Sequence, residues 1–132
     1  MAAVSTALKP FRRPRLWLGL WAAAVLVVVV LSLTPPPPMA LPQHGDKVEH
    51  LLAYAALMAG AVQLLAGRGR LLACALALAA LGVGLELAQG AFTANRMADP
   101  ADALANAGGV ALGLASAWLP WRDALLRFDR RR

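Results

Sequence analysis

The sequence predicts an all-α fold, an integral membrane bundle of four transmembrane helices. Three observations carry that prediction. Of the 132 residues, 60% are hydrophobic and the mean hydropathy is +0.60. Only 15% are charged, against about a quarter in a soluble domain. The apolar residues also gather into four long runs separated by short polar or basic breaks. So little charge cannot cover a water-facing surface, and the length allows one domain.

The first run is Leu16 to Leu33, which is free of charge and ends before Pro35 to Pro38. Consecutive prolines remove amide donors and clash with the preceding turn, so a helix stops there. A span needs about 17–25 apolar residues, and this run is also longer than the apolar core of a secretory signal, about 7–15 residues. It is read as an uncleaved first helix over about 16–34. The later helices are predicted over about 48–66, 71–92 and 101–121. These runs are rich in Ala, Leu and Gly and poor in β-branched residues, which favours helix over strand. A transmembrane barrel would alternate polarity over about ten-residue segments, and no such alternation occurs. Residues 1–15 and 122–132 are read as basic cytoplasmic tails flanking the domain 16–121.

Basic residues in short loops mark the cytoplasmic side. Lys9, Arg12, Arg13 and Arg15 precede the first helix, Arg68 and Arg70 lie between the second and third, and Arg122, Arg127, Arg130, Arg131 and Arg132 follow the fourth. With four helices, these eleven of the 13 basic residues fall on one side, and only Lys47 and Arg96 on the other. The topology is therefore N-in, C-in. The net charge of +6 is read as orientation and contact with anionic lipid rather than nucleic-acid binding. Cys74, the one cysteine, lies in an apolar run and is read as packing. Trp17, Trp21, Trp118 and Trp121 fall near the inner boundary, as interfacial anchors do.

The acidic and polar residues gather at the outer end. Asp46, His50 and Tyr54 are spaced by four, which puts them on one helix face, with Lys47 beside them. Glu86 and Gln89 are spaced by three on the third helix. Asp99, Asp102, Asn106, Gly109 and Gly113 step by three and four along the fourth. Charge facing lipid is costly, so these stripes are expected to face one another. Glu86 is the most informative residue, since an intramembrane carboxylate marks a functional site or a structural ion pair, here with Lys47, His50 or Arg96. The spacing of His44, Asp46, Glu49 and His50 is too loose for a metal site, and neither metal nor cofactor is expected. Gly109 and Gly113 have GxxxG spacing and are read as close packing inside the bundle rather than a homodimer face. The first helix contributes no polar residue to this cluster and is read as an anchor.

Three ordered elements carry a family resemblance: Asp46-Lys47-x-x-His50-x-x-x-Tyr54-x-x-Leu57, Glu86-x-x-Gln89, and Arg96-x-x-Asp99-x-x-Asp102-x-x-x-Asn106-x-x-Gly109. In these the chain resembles the VanZ-like family of small bacterial membrane proteins, over about Leu33 to Leu119. The resemblance implies a multi-pass protein of the bacterial inner membrane, and a link to glycopeptide-antibiotic tolerance through the name-giving member.

Three functions are compatible with these residues. In the first, an outward pocket of Asp46, Lys47, His50, Tyr54, Glu86, Gln89, Arg96, Asp99, Asp102 and Asn106 binds or modulates a cell-envelope lipid or glycolipid head group. In the second, the protein is an enzyme on such a lipid, with Glu86, His50 or Asp102 as general acid or base. In the third, it is a structural or assembly factor whose polar stripes lock helices. A transporter fits poorly, since the chain shows no internal repeat.

Overall fold

A computed structural model describes residues 7–34, 45–92 and 99–132. Five α-helices account for most of these residues: α1 (Pro14–Leu33), α2 (Gly45–Leu64), α3 (Arg68–Phe92), α4 (Pro100–Ala115) and α5 (Ala124–Arg131). Two 3₁₀ turns, Ser116–Trp118 and Pro120–Asp123, join α4 to α5. Among the described residues there is no strand, only an isolated bridge between Leu8 and Leu65.

Local chemistry sets the ends. Pro14 opens α1, where its missing donor would be unpaired anyway. Thr34, just before Pro35, is extended and closes α1, as the ring of a following proline requires. Asp99 caps α4, its Oδ1 accepting from the Ala101 N–H at 2.9 Å, and Pro100 follows. Between α2 and α3 the chain turns at Gly67, whose φ of +94° lies in the left-handed region open to glycine.

The helices alternate in direction. Trp21 of α1 donates its indole N–H to Leu57 O of α2 at 2.8 Å, while Gln89 near the end of α3 reaches Ser32 O near the end of α1 at 2.7 Å. The closest pairing is the parallel one of α2 with α4. A Cβ added at Gly113 would lie 2.5 Å from Ala55 O and 2.6 Å from Met58 Cβ, and one at Gly109 would strike Leu51 O. The GxxxG face is therefore spent inside the bundle, where small residues let two backbones approach. The central cluster is built mainly from α2, through Tyr54, Leu57, Met58, Ala61 and Val62, with Ala75, Leu78 and Val110 from α3 and α4. Cys74 packs at its edge.

The outer surface of the bundle is apolar: Leu20, Leu26, Leu31, Leu76, Leu87 and Leu104 are all more than half exposed. Helices α1 and α3 are each long and apolar enough to cross a membrane. Pro100–Trp118 and Pro120–Arg131 reach that standard only jointly, and are bent 82° from each other. Two helices, or three if the bent pair is one span, therefore qualify among the described residues. Helix α2 has α1's length, but Lys47, Glu49 and His50 occupy its first turns.

The fourth helix departs from its expected course. It was expected to run to 121, but the α-helical part ends at Ala115 and the chain is extended at Leu119 (φ −92°, ψ 153°). Leu119 precedes Pro120, which disfavours the helical region there. The segment beyond, read as a tail, contains α5. Leu125 and Leu126 pack on Leu8, Phe11 and Leu64. Gln63 accepts from the Leu125 N–H at 3.0 Å and donates to Trp121 O at 2.9 Å. Asp129 is buried, accepting from Trp17 Nε1 at 2.8 Å and from the Arg12 N–H. Lys9 joins the same assembly. Its N–H donates to Leu64 O, and its ammonium donates to Val62 O at 2.8 Å and pairs with Asp123 at 2.7 Å. A cation on the last carbonyls of α2 opposes the negative end of that helix dipole.

The tryptophans divide. Trp17 and Trp21 are held by hydrogen bonds in the packing, whereas Trp118 and Trp121 are exposed.

Candidate functional site

The polar stripes meet where the N-terminal ends of α2 and α4 flank the C-terminal half of α3. Helix α2 presents Lys47, His50 and Tyr54, α3 presents Glu86 and Gln89, and Asp99, Asp102 and Asn106 come from the cap and first turns of α4. Glu86, Gln89, Asp102, Asn106 and Tyr54 are all buried, Tyr54 to 1% exposure. Phase explains the gathering. Asp99, Asp102, Asn106, Gly109 and Gly113 share one face of α4, so the glycines that dock α4 on α2 carry the acids to the same seam.

The charges interlock. Lys47 Nζ lies 3.3 Å from Asp99 Oδ2 and 3.6 Å from Asp102 Oδ1. Glu86 Oε1 accepts the Asp99 N–H at 2.7 Å, which ties the end of α3 to the cap of α4. The Ala101 N–H, with Lys47 after it, holds the Asp99 carboxyl below the usual carboxylate range. Asp102 sits in the first turn of α4, where the dipole favours an anion. Lys47 is thus engaged by Asp99 and Asp102, rather than pairing with Glu86 as one expectation had it. Gln89 reaches the backbone of α1, so the first helix contributes a carbonyl to the seam and is more than an anchor.

Two features give this seam chemical capacity. First, Tyr54 Oη, Asp102 Oδ1 and Asn106 Oδ1 are buried side-chain atoms with no hydrogen-bonding partner among the described residues. An unmet buried polar group costs about 1–3 kcal/mol. Second, a ring nitrogen of His50 and carboxylate oxygens of Glu86 and Asp102 lie within 4.8 Å of one another. Imidazole with two carboxylates is a donor set suited to proton transfer and to a divalent ion. It is assembled from three helices, unlike the local His44-to-His50 spacing considered in the sequence.

Of the residues expected in the pocket, Lys47, His50, Tyr54, Glu86, Asp99, Asp102 and Asn106 are brought together. Gln89 lies at their edge, turned to Ser32 O. Arg96, His44, Asn95 and the Asp46 side chain lie outside the described residues. Gly82 was missed. A Cβ there would stand 3.0 Å from Asn106 Cβ and 3.4 Å from Tyr54 Cε1, so its missing side chain makes the room they occupy. Its position one turn before Glu86 was the available signal.

Comparison with protein-family models, with curated proteins and with solved structures finds no match to this chain.

Proposed function

We propose that the chain is a four-span protein of the bacterial inner membrane, with both ends cytoplasmic, whose polar seam binds the head group of a cell-envelope lipid or glycolipid-type molecule. The VanZ-like resemblance suggests the multi-pass inner-membrane placement and a link to glycopeptide tolerance, and the head-group reading comes from the polar residues themselves. The observation that carries it is a set of buried oxygens without a hydrogen bond among the described residues, Tyr54 Oη, Asn106 Oδ1 and Asp102 Oδ1, the last ion-paired with the Lys47 ammonium at 3.6 Å. A head group rich in hydroxyls or amines would donate to the two oxygens and accept from Tyr54. The alternating helix directions and the basic residues at one end support four spans, with α2 and α4 tolerated as shorter or more polar because partner helices shield them.

The test is native mass spectrometry of the protein purified from its membrane. The wild type is expected to carry a lipid that Asn106→Ala and Lys47→Ala both lose while remaining helical. Equal lipid content in all three would overturn the binding reading and leave the stripes as helix locks. Glu86→Gln keeps an acceptor for the Asp99 N–H, so it tests charge without removing that bond.

The convergence of His50, Glu86 and Asp102 favours a second reading, an enzyme that moves a proton on the same head group. Turnover of envelope lipids by the purified protein, abolished in Glu86→Gln with lipid still bound, is its expected result. No turnover across a lipid panel would sink it.

A further inference from the structure

At the opposite end of the bundle a cleft of about 830 Å³ opens between α5, the α2–α3 turn and the end of α4. That volume is within the range of about 300–1,000 Å³ typical of small-ligand sites. Its walls are apolar, with Leu71, Leu72, Leu114 and Leu126 among them, and the exposed Trp118 stands at its edge. Its polar lining is nearly all cationic: Lys9, Arg68, Arg122 and Arg127 against the one acid, Asp123. Asp123 pairs with Lys9 at 2.7 Å and more loosely with Arg122 Nε at 3.6 Å, so one carboxylate faces an ammonium and three guanidinium groups and the cleft keeps a net positive charge. Among the described residues no side-chain hydrogen bond or ion pair ties down Arg68. Arg127 donates to Pro120 O at 3.4 Å and lies near enough to Asp123 to favour its charged form.

We infer that this cleft binds one anionic phospholipid, its phosphate held by Arg68, Arg122 and Arg127 and an acyl chain laid along the leucines. Three features select that occupant. The 82° bend sets α5 across the direction of α4, so it would lie along the membrane surface if α4 crosses it, as interfacial amphipathic helices do. Guanidinium groups offer the forked donors that phosphate oxygens accept. An apolar wall below a cationic rim, with a tryptophan at the boundary, matches a lipid standing at the interface. This differs from diffuse attraction between a basic tail and a charged bilayer, because it requires these three arginines and not merely the net charge.

The test is native mass spectrometry of the full chain in detergent, titrated with phosphatidylglycerol or with phosphatidylcholine. The expected result is one tightly bound phosphatidylglycerol and weaker binding of the zwitterionic lipid. In Arg68→Gln/Arg122→Gln/Arg127→Gln, affinity for phosphatidylglycerol should fall about 100-fold, taking about 1 kcal/mol per basic residue at an anionic surface. The matched variant Arg130→Gln/Arg131→Gln/Arg132→Gln loses the same charge outside the cleft, and its affinity should change less than threefold. Arg68→Gln alone, which breaks no bond of the fold, should lose about fivefold and covers the case in which the triple variant misfolds. Equal affinity for the two lipids, equal losses in the two triple variants, or an unchanged Arg68→Gln would overturn the assignment.

Discussion

Single residues decide how closely α2 and α4 approach. A Cβ at Gly113 would be 2.5 Å from Ala55 O and 2.8 Å from Ala59 N, backbone atoms that cannot swing aside. Gly84 has nothing within 4 Å of a Cβ, and neither has Gly19. Gly113→Ala is therefore expected to destabilise the bundle by about 1–3 kcal/mol, the usual penalty for overpacking. Gly84→Ala should be neutral or slightly stabilising, because alanine is the better helix former. Denaturant unfolding of the two variants in micelles checks the contrast, and equal effects would contradict the packing. The step from Asp99 to Gly113 was legible in the sequence, since 3-4 spacing fixes a face. That Glu86 accepts from the Asp99 backbone was not, because capping bonds between helices depend on the angle at which they meet.

At the scale of elements, the four apolar runs located helices well and their ends less well. Hydropathy marks the length that is apolar, so α2 and α3 begin three residues before their predicted starts, at Gly45 and Arg68, where polar residues continue the helical hydrogen bonding. The break at Leu119–Pro120 is legible in the proline, although Trp121 carries the apolar run past it. Helix α5 was hidden by composition: five of the last eleven residues are arginine, and its amphipathic side depends on a partner, the Leu8–Phe11 segment. Its docking rests on two carboxylates. The Lys9 ammonium holds the Asp123 carboxyl below the usual range. Burial pushes Asp129 up, but the Trp17 indole and the Arg12 and Arg13 amides outweigh it, and its carboxyl is also lowered. Groups with depressed folded values stabilise docking above about pH 4, the ordinary carboxylate range. That contribution fades as pH falls through their lower folded values. The Trp17 indole N–H resonance in micelles should accordingly hold its docked position at neutral pH and shift to an undocked one below about pH 4. In Asp123→Asn/Asp129→Asn the step should vanish, and a step that survives would assign the docking to other groups.

For the whole molecule, the same pairing of ends accounts for both the fold and its asymmetry. Lys9, Gln63, Asp123 and Asp129 knit the N-terminal segment, the end of α2 and α5 into one assembly, so the basic segments are joined at one end even though they are far apart in sequence. Lys47, Glu86, Asp99 and Asp102 knit the other end. If all four helices cross, as proposed, the start of α1, the Gly67–Arg70 turn and α5 share one side of the membrane. On that proposal the basic residues there would place this side in the cytoplasm. Among the described residues two to three helices qualify as spans on apolar length alone; in the proposed four-span arrangement α2, shielded by α1, α3 and α4, would present little of itself to lipid and could begin with Lys47 and Glu49. Reporter fusions after Arg70 and after Arg132 are therefore expected to report the cytoplasm, and a fusion after Gln43 the opposite side. A two-span arrangement, with α2 and α4 lying on one side, would move the Arg70 and Arg132 reporters to opposite sides of the membrane or bring the Gln43 reporter into the cytoplasm, and either result would dissolve the bundle's alternation as a membrane topology.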